Sequence, residues 1–247
     1  MENNMTRKHL FINVAAALCI FTAVFSGCAH RQKSNAELYE NAVIDPMVAE
    51  PSEIHPLVCI SKNEPLVSWK DGKVLMLTMN KYPDFYKEGE EVKFIYGHTW
   101  TFTDKEMEEW YRNNKRNVAD WPLRFKQLLG ITPEENYTHI SAFWSDPKDI
   151  RRPAYQIDTA KQVTEDVLDG SALDGLSDWF CGNIVSSYYI GKTKYPWTRL
   201  GYTYDWAGNG KEYGLTEFLV LKDSTATVEF TKTIPEFVDW LEEQTSR

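Results

Sequence analysis

The rhythm of apolar and polar positions changes several times along this chain, and each change predicts a different kind of structure. Residues 10–25 form a run of 16 mostly apolar positions. Residues 28–56 are polar and broken by Pro46, Pro51 and Pro56, with one modest helical patch over 36–43; this reads as a flexible tether. From Leu57 the pattern is that of a folded domain. Residues 65–69 and 73–79 read as strands on either side of Asp71-Gly72, a pair suited to the two positive-φ positions of a tight hairpin. Residues 91–96 and 99–102 are further strand candidates, with Gly97 marking a bend between them.

A helical centre follows. Thr103-Asp-Lys-Glu106 has the form of a capping box, in which the threonine oxygen and the glutamate satisfy the first free amides of a helix reaching about residue 114. A second helix starts after Asp120, with Pro122 in its first turn and Gly130 as its stop. Residues 138–144 suit a strand, Asp146-Pro147 and Arg152-Pro153 bracket a loop, and helices are predicted over 160–168 and 176–190, the latter closed by Gly191. Residues 200–205, 215–221 and 225–231 return to strand patterns around a Gly/Asn turn region at 207–213. A second capping box, Thr233-Ile-Pro-Glu236, opens a last amphipathic helix whose buried stripe is Phe237, Val238, Trp240 and Leu241. The order predicts a single α+β domain over 57–247, a mainly antiparallel sheet with a helical central section.

The apolar run near the start is preceded by Arg7-Lys8 and followed by Ser26-Gly27-Cys28. It is shorter than the ~20 residues needed to span a bilayer, and its flanks are those of a secretory signal. With cysteine directly after glycine, the segment resembles a bacterial lipoprotein signal peptide over 1–27, which implies a mature chain starting at a diacylated Cys28. An uncleaved anchor is the alternative. Either places the domain in the cell envelope, membrane-attached and facing the periplasm or the exterior; Ala29, where an Asp would imply inner-membrane retention, leans towards the outer membrane. Two or more acyl chains make such anchoring stable.

Loss of the signal leaves 25 basic and 35 acidic residues, a net charge of −10 against −9 for the whole chain. So acidic a domain lacks the basic patch that nucleic acid requires. Of four cysteines, Cys19 would leave with the signal and Cys28 would carry lipid, which leaves Cys59 and Cys181. In an oxidising envelope these two can pair, closing a loop of about 120 residues worth roughly 4–5 kcal/mol on the chain-entropy model, or stay as separate buried thiols.

Familiar chemistry is scarce. His55, His98 and His139 stand alone, with no His-Glu-x-x-His and no Cys-x-x-Cys, so no metal site is expected. There is no Gly-x-Ser-x-Gly elbow, no phosphate-cradling glycine loop and no calcium loop, and no cofactor is expected. One stretch can carry chemistry: Tyr195-Pro-Trp-Thr-Arg-Leu-Gly-Tyr-Thr-Tyr-Asp-Trp206 and the Tyr213–Val220 segment after it. Trp197, Tyr202, Tyr204 and Trp206 are interleaved with Arg199, Asp205 and Glu217, a mixture that suits sugar or nucleoside recognition by stacking and polar orientation. The plainer reading is an aromatic core with a cross-strand Arg–Asp pair.

Several motifs here resemble a family of bacterial secreted or lipid-anchored proteins: Arg124-Phe-Lys-Gln-Leu-Leu-Gly-Ile, Phe143-Trp-x-x-Pro-x-Asp-x-x-Arg-Pro153, Trp179-Phe180, the 195–206 segment and Gly214-Leu-Thr-Glu-Phe218. The likeness spans roughly residues 100–221. It implies a compartment and transfers no catalytic residue. Family members often carry a cysteine shortly after the Arg-Pro, where this chain has Ala154, so a disulfide there is not expected. Two functions stay open. The first is a non-enzymatic binding, accessory or immunity-type lipoprotein that meets an envelope protein or glycan through partly exposed Trp197 and Trp206. The second is an envelope enzyme on glycans or nucleotides, with Glu217 and Asp205 as paired carboxylates in one cleft and Arg199 as an anion clamp.

Overall fold

The computed structural model describes residues 33–168 and 175–246. The signal segment, Cys19 and Cys28 lie outside the described residues. Strand β1 (Trp69–Lys70) and β2 (Lys73–Asn80) form the expected hairpin, with Asp71 at φ 51° and Gly72 at φ 78°. The other strands are β3 (Glu91–Lys93), β4 (Thr99–Thr103), β5 (His139–Ser145), β6 (Ile150–Arg151), β7 (Tyr202–Tyr204), β8 (Tyr213–Thr216), β9 (Phe218–Val220) and β10 (Thr225–Thr233). Eight of the strands make one antiparallel sheet in the order β3-β10-β5-β2-β4-β9-β6, with β1 beside β2; β7 and β8 make a separate antiparallel pair. The fold is α+β.

Both faces of the large sheet are covered. Leu75, Leu77 and Met79 of β2 pack with α2 (Asp104–Asn114), α3 (Trp121–Leu128) and α5 (Ile234–Thr245) through Met107, Tyr111, Phe125, Phe237 and Leu241. Val74 and Met76, which alternate with them, face Val58, Ile60, Phe94 and Phe143 on the other side. This explains why β2 is buried at nearly every position. A third cluster joins α1 (Asn35–Ile44) and α4 (Ser177–Val185) to Trp197, Tyr204 and Trp206.

Four expectations need correction. Much of the 28–56 stretch is not a tether. Ser34 and Glu37 form a full capping box on α1, Tyr39, Ala42 and Val43 of that helix are buried, and the Tyr39 ring meets Trp206 edge-on at 5.5 Å. No helix forms over 160–168, because its carbonyls bond elsewhere: Thr159 and Gln162 accept from Ile60 and Leu57, and Lys161 accepts from Arg152. The strand expected over 215–221 is split between two sheets at Glu217. Cys59 and Cys181 are free thiols: Cys59 is buried, its Sγ 3.3 Å from the Ala160 carbonyl, whereas Cys181 is exposed on α4.

The two expected capping boxes part company. Thr233 accepts from the Glu236 amide and Glu236 reaches back to the Thr233 amide, as predicted. Thr103 makes no such bond, its buried hydroxyl lacks a partner, and Glu106 turns into the interior instead. Helix α4 continues through a π turn at Ser186–Ile190, closed by a bond from the Gly191 amide to the Ser186 carbonyl at 3.2 Å. Among the described residues no helix is long and apolar enough to cross a membrane.

Candidate functional site

At Glu217 the chain leaves the β7–β8 pair and enters the large sheet. The neighbouring side chains point opposite ways. Thr216 faces inward, where its amide and hydroxyl donate to the Glu106 carboxylate at 2.9–3.0 Å and its hydroxyl also accepts from the Val58 amide. Glu217, its own amide tied to the Gly201 carbonyl, lines a cavity of about 520 Å³ on the other side. The end of β2, strand β4, the turn after α3, the α4–π-turn segment and the 191–204 chain enclose it.

The cavity is aromatic and hydroxyl-rich, with Trp100, Trp197 and Tyr204 among its lining residues. The Trp100 and Trp197 rings meet edge to face at 6.0 Å, and Trp179 braces both from behind at 5.8–5.9 Å. Glu217 is the only carboxylate among the lining residues, and its side chain has no hydrogen-bond or ion-pair partner among the described residues. Burial alone pushes its carboxyl up to about 8. Asn183 is also among the lining residues, but its Nδ2, which has no acceptor, is sealed off from accessible space.

Both lining residues able to carry positive charge are already engaged. Lys81 Nζ sits 2.7 Å from Glu135. His98 accepts from the Lys222 amide through Nδ1, and burial with Lys222 nearby holds its pKa below the usual value, so it is neutral.

The other sequence candidates lie elsewhere. Asp205 takes a two-pronged pair from Arg124 at 3.0 and 2.5 Å, beside a separate, more open cleft that Glu106 and Trp110 also line. Asp205 and Glu217 therefore do not share a cleft. Arg199 is no anion clamp: it is buried, at φ 59°, and donates to the Tyr155 and Tyr188 hydroxyls and the Pro46 carbonyl at 2.6–2.7 Å, pinning the 33–56 stretch. Trp197 and Trp206 are only 4% and 2% exposed, so they form no surface patch. Trp206 donates to the Lys126 and Ile131 carbonyls, and Tyr202 to the Glu53 carbonyl; both are core. Tyr204 reaches the cavity while its hydroxyl bonds Asp45.

Sequence reasoning passed over Asn183 and Trp100, and read Glu106 as a helix cap where it instead accepts from Thr216. It also did not foresee that Asp45, Glu53 and Glu212 would bring ligand atoms within 4.8 Å of one another, since Glu212 is far in the chain from the other two. Two of the three are exposed, and Asp45 is occupied by Tyr204.

Comparison with protein-family models, curated proteins and solved structures finds no match for this chain.

Proposed function

We propose that this chain is a cell-envelope lipoprotein, held to a membrane through lipid on Cys28, whose folded domain binds a small polar ligand in the Glu217 cavity. One observation carries the reading: a lone carboxyl, unpartnered among the described residues, lines an aromatic-walled space. A polar group set among aromatic residues in a cavity is what small-ligand sites are made of. The enzyme reading needed a second carboxylate opposite Glu217 to divide the roles of acid and base. Asp205 is bound to Arg124 in another cleft, which favours binding without catalysis. The buried tryptophans favour a ligand taken inside over a protein docked on an aromatic surface.

The acylated mature protein is titrated with envelope-glycan fragments, nucleosides and small amines while tryptophan fluorescence is followed, because Trp100 and Trp197 line the cavity. A saturable change for at least one class, abolished when Ser186→Trp fills the mouth, is expected. No saturable change for any class would contradict the reading. Mass analysis of the native amino terminus should find a diacylglyceryl group on Cys28; a chain intact from Met1 would remove the anchoring half.

A further inference from the structure

We infer that the ligand carries an ammonium group, with Glu217 as its counter-ion and the aromatic residues Trp100, Trp197 and Tyr204 around it. This rests on the small-ligand reading and narrows it. Aromatic faces attract cations through their quadrupole, more strongly when the site is dry. A half-buried carboxylate with no partner is destabilised when ionised, and a bound cation reduces that cost. The walls exclude the opposite sign, because Lys81 is spent on Glu135 and His98 is neutral, so no free cation among the lining residues awaits an anionic ligand. The chain's net charge of −9 adds a field that draws cations towards it.

Of the groups facing the cavity, Glu217 is the carboxyl, and burial pushes it up to about 8. Tyr86 is pushed up to about 12, Tyr137, Tyr195 and Tyr204 are raised by burial, Lys81 is raised by Glu135, and His98 is lowered. At neutral pH a cation must therefore displace the Glu217 proton.

The test is calorimetry on the acylated mature protein in a polyoxyethylene detergent. The probes are choline and cadaverine, each beside a neutral counterpart: the all-carbon isostere of choline, and pentanediol. Choline affinity should rise about tenfold per pH unit from pH ~6 and level off near pH ~8. Proton release should accompany binding at neutral pH, and both neutral counterparts should bind at least about tenfold more weakly. Glu217→Gln, isosteric with the protonated acid and so expected to fold, should lose choline affinity by about thirtyfold or more at pH ~8 and abolish the pH dependence. Neutral counterparts binding as tightly as the cations, or full choline affinity in Glu217→Gln, would overturn the ammonium assignment. If glycan fragments or nucleosides bind and the amines do not, this inference falls while the small-ligand reading stands. If no class binds, both fall.

Discussion

Glu106 and Glu217 are two carboxyls on either side of the Thr216–Glu217 step, Glu106 buried and Glu217 half-buried, and they differ in how that desolvation is compensated. Glu106 accepts from the amide and hydroxyl of Thr216, with the Arg152 charge also acting to lower its pKa; burial still raises it to about 7. Glu217 has nothing of the kind, and burial raises it to about 8. A buried acid that accepts from both donors of Thr216 is a piece of architecture. A half-buried acid that accepts from none is the group on which the proposed ligand site rests. The adjacent Thr216 and Glu217 thus face a hydrogen-bonded interior on one side and the cavity on the other.

The largest effect should come from the architectural side. Glu106→Ala strands the Thr216 amide and hydroxyl and opens a void, and should cost about 2–4 kcal/mol in urea unfolding. A loss below about 1 kcal/mol would mean that Glu106 is not holding the β8 strand. Next, Arg124→Ala leaves Asp205 buried without its guanidinium and should cost about 2–3 kcal/mol while cavity binding is unchanged. A lost ligand response in a folded Arg124→Ala protein would reunite Asp205 with the site.

Glu217→Gln tests the other interior through pH. The folded carboxyl holds its proton up to about 8, whereas the unfolded one releases it near 4.5. The stability this difference supplies is complete below pH 4.5 and is lost as pH rises towards 8. Glu217→Gln should therefore match the parent in stability near pH ~5 and exceed it by about 1–2 kcal/mol near pH ~8, with the partial exposure of the side chain moderating the gain. Equal stability at both values would mean that the carboxyl is paired or solvated.

The smallest contrast lies between the two Thr-x-x-Glu sequences. Thr233→Ala should cost about 1 kcal/mol by removing a working cap, whereas Thr103→Val should be neutral or stabilising, because the Thr103 hydroxyl has no partner. Thermal melts would reveal a reversed order.

That last pair also explains how much could be seen in the sequence. Features closed within a few residues were legible: the Asp71-Gly72 turn, the Asp120 cap on α3, the Thr233 box, and with them the α+β class. Features decided at long range were not. Glu106 has the right spacing for a cap, but its partner Thr216 lies 110 residues away. The α1 segment looked like a tether because its few apolar residues find their cover in Trp206 and the 177–197 region. Glu217 could be picked out as an acid among aromatics, yet pairing it with Asp205 required knowing that Arg124 had already claimed that residue. Asn183 gave no local signal at all; only the folded cavity identifies it.

The account turns on the state of one side chain, and a carbon-13 carboxyl titration of labelled protein, with Glu217→Gln to assign the resonance, reads it directly. The predicted midpoint is about 8 in the free protein, moving down when cadaverine fills the cavity. A midpoint near 4.5, unmoved by ligand, would show an ordinary solvated glutamate and contradict the account.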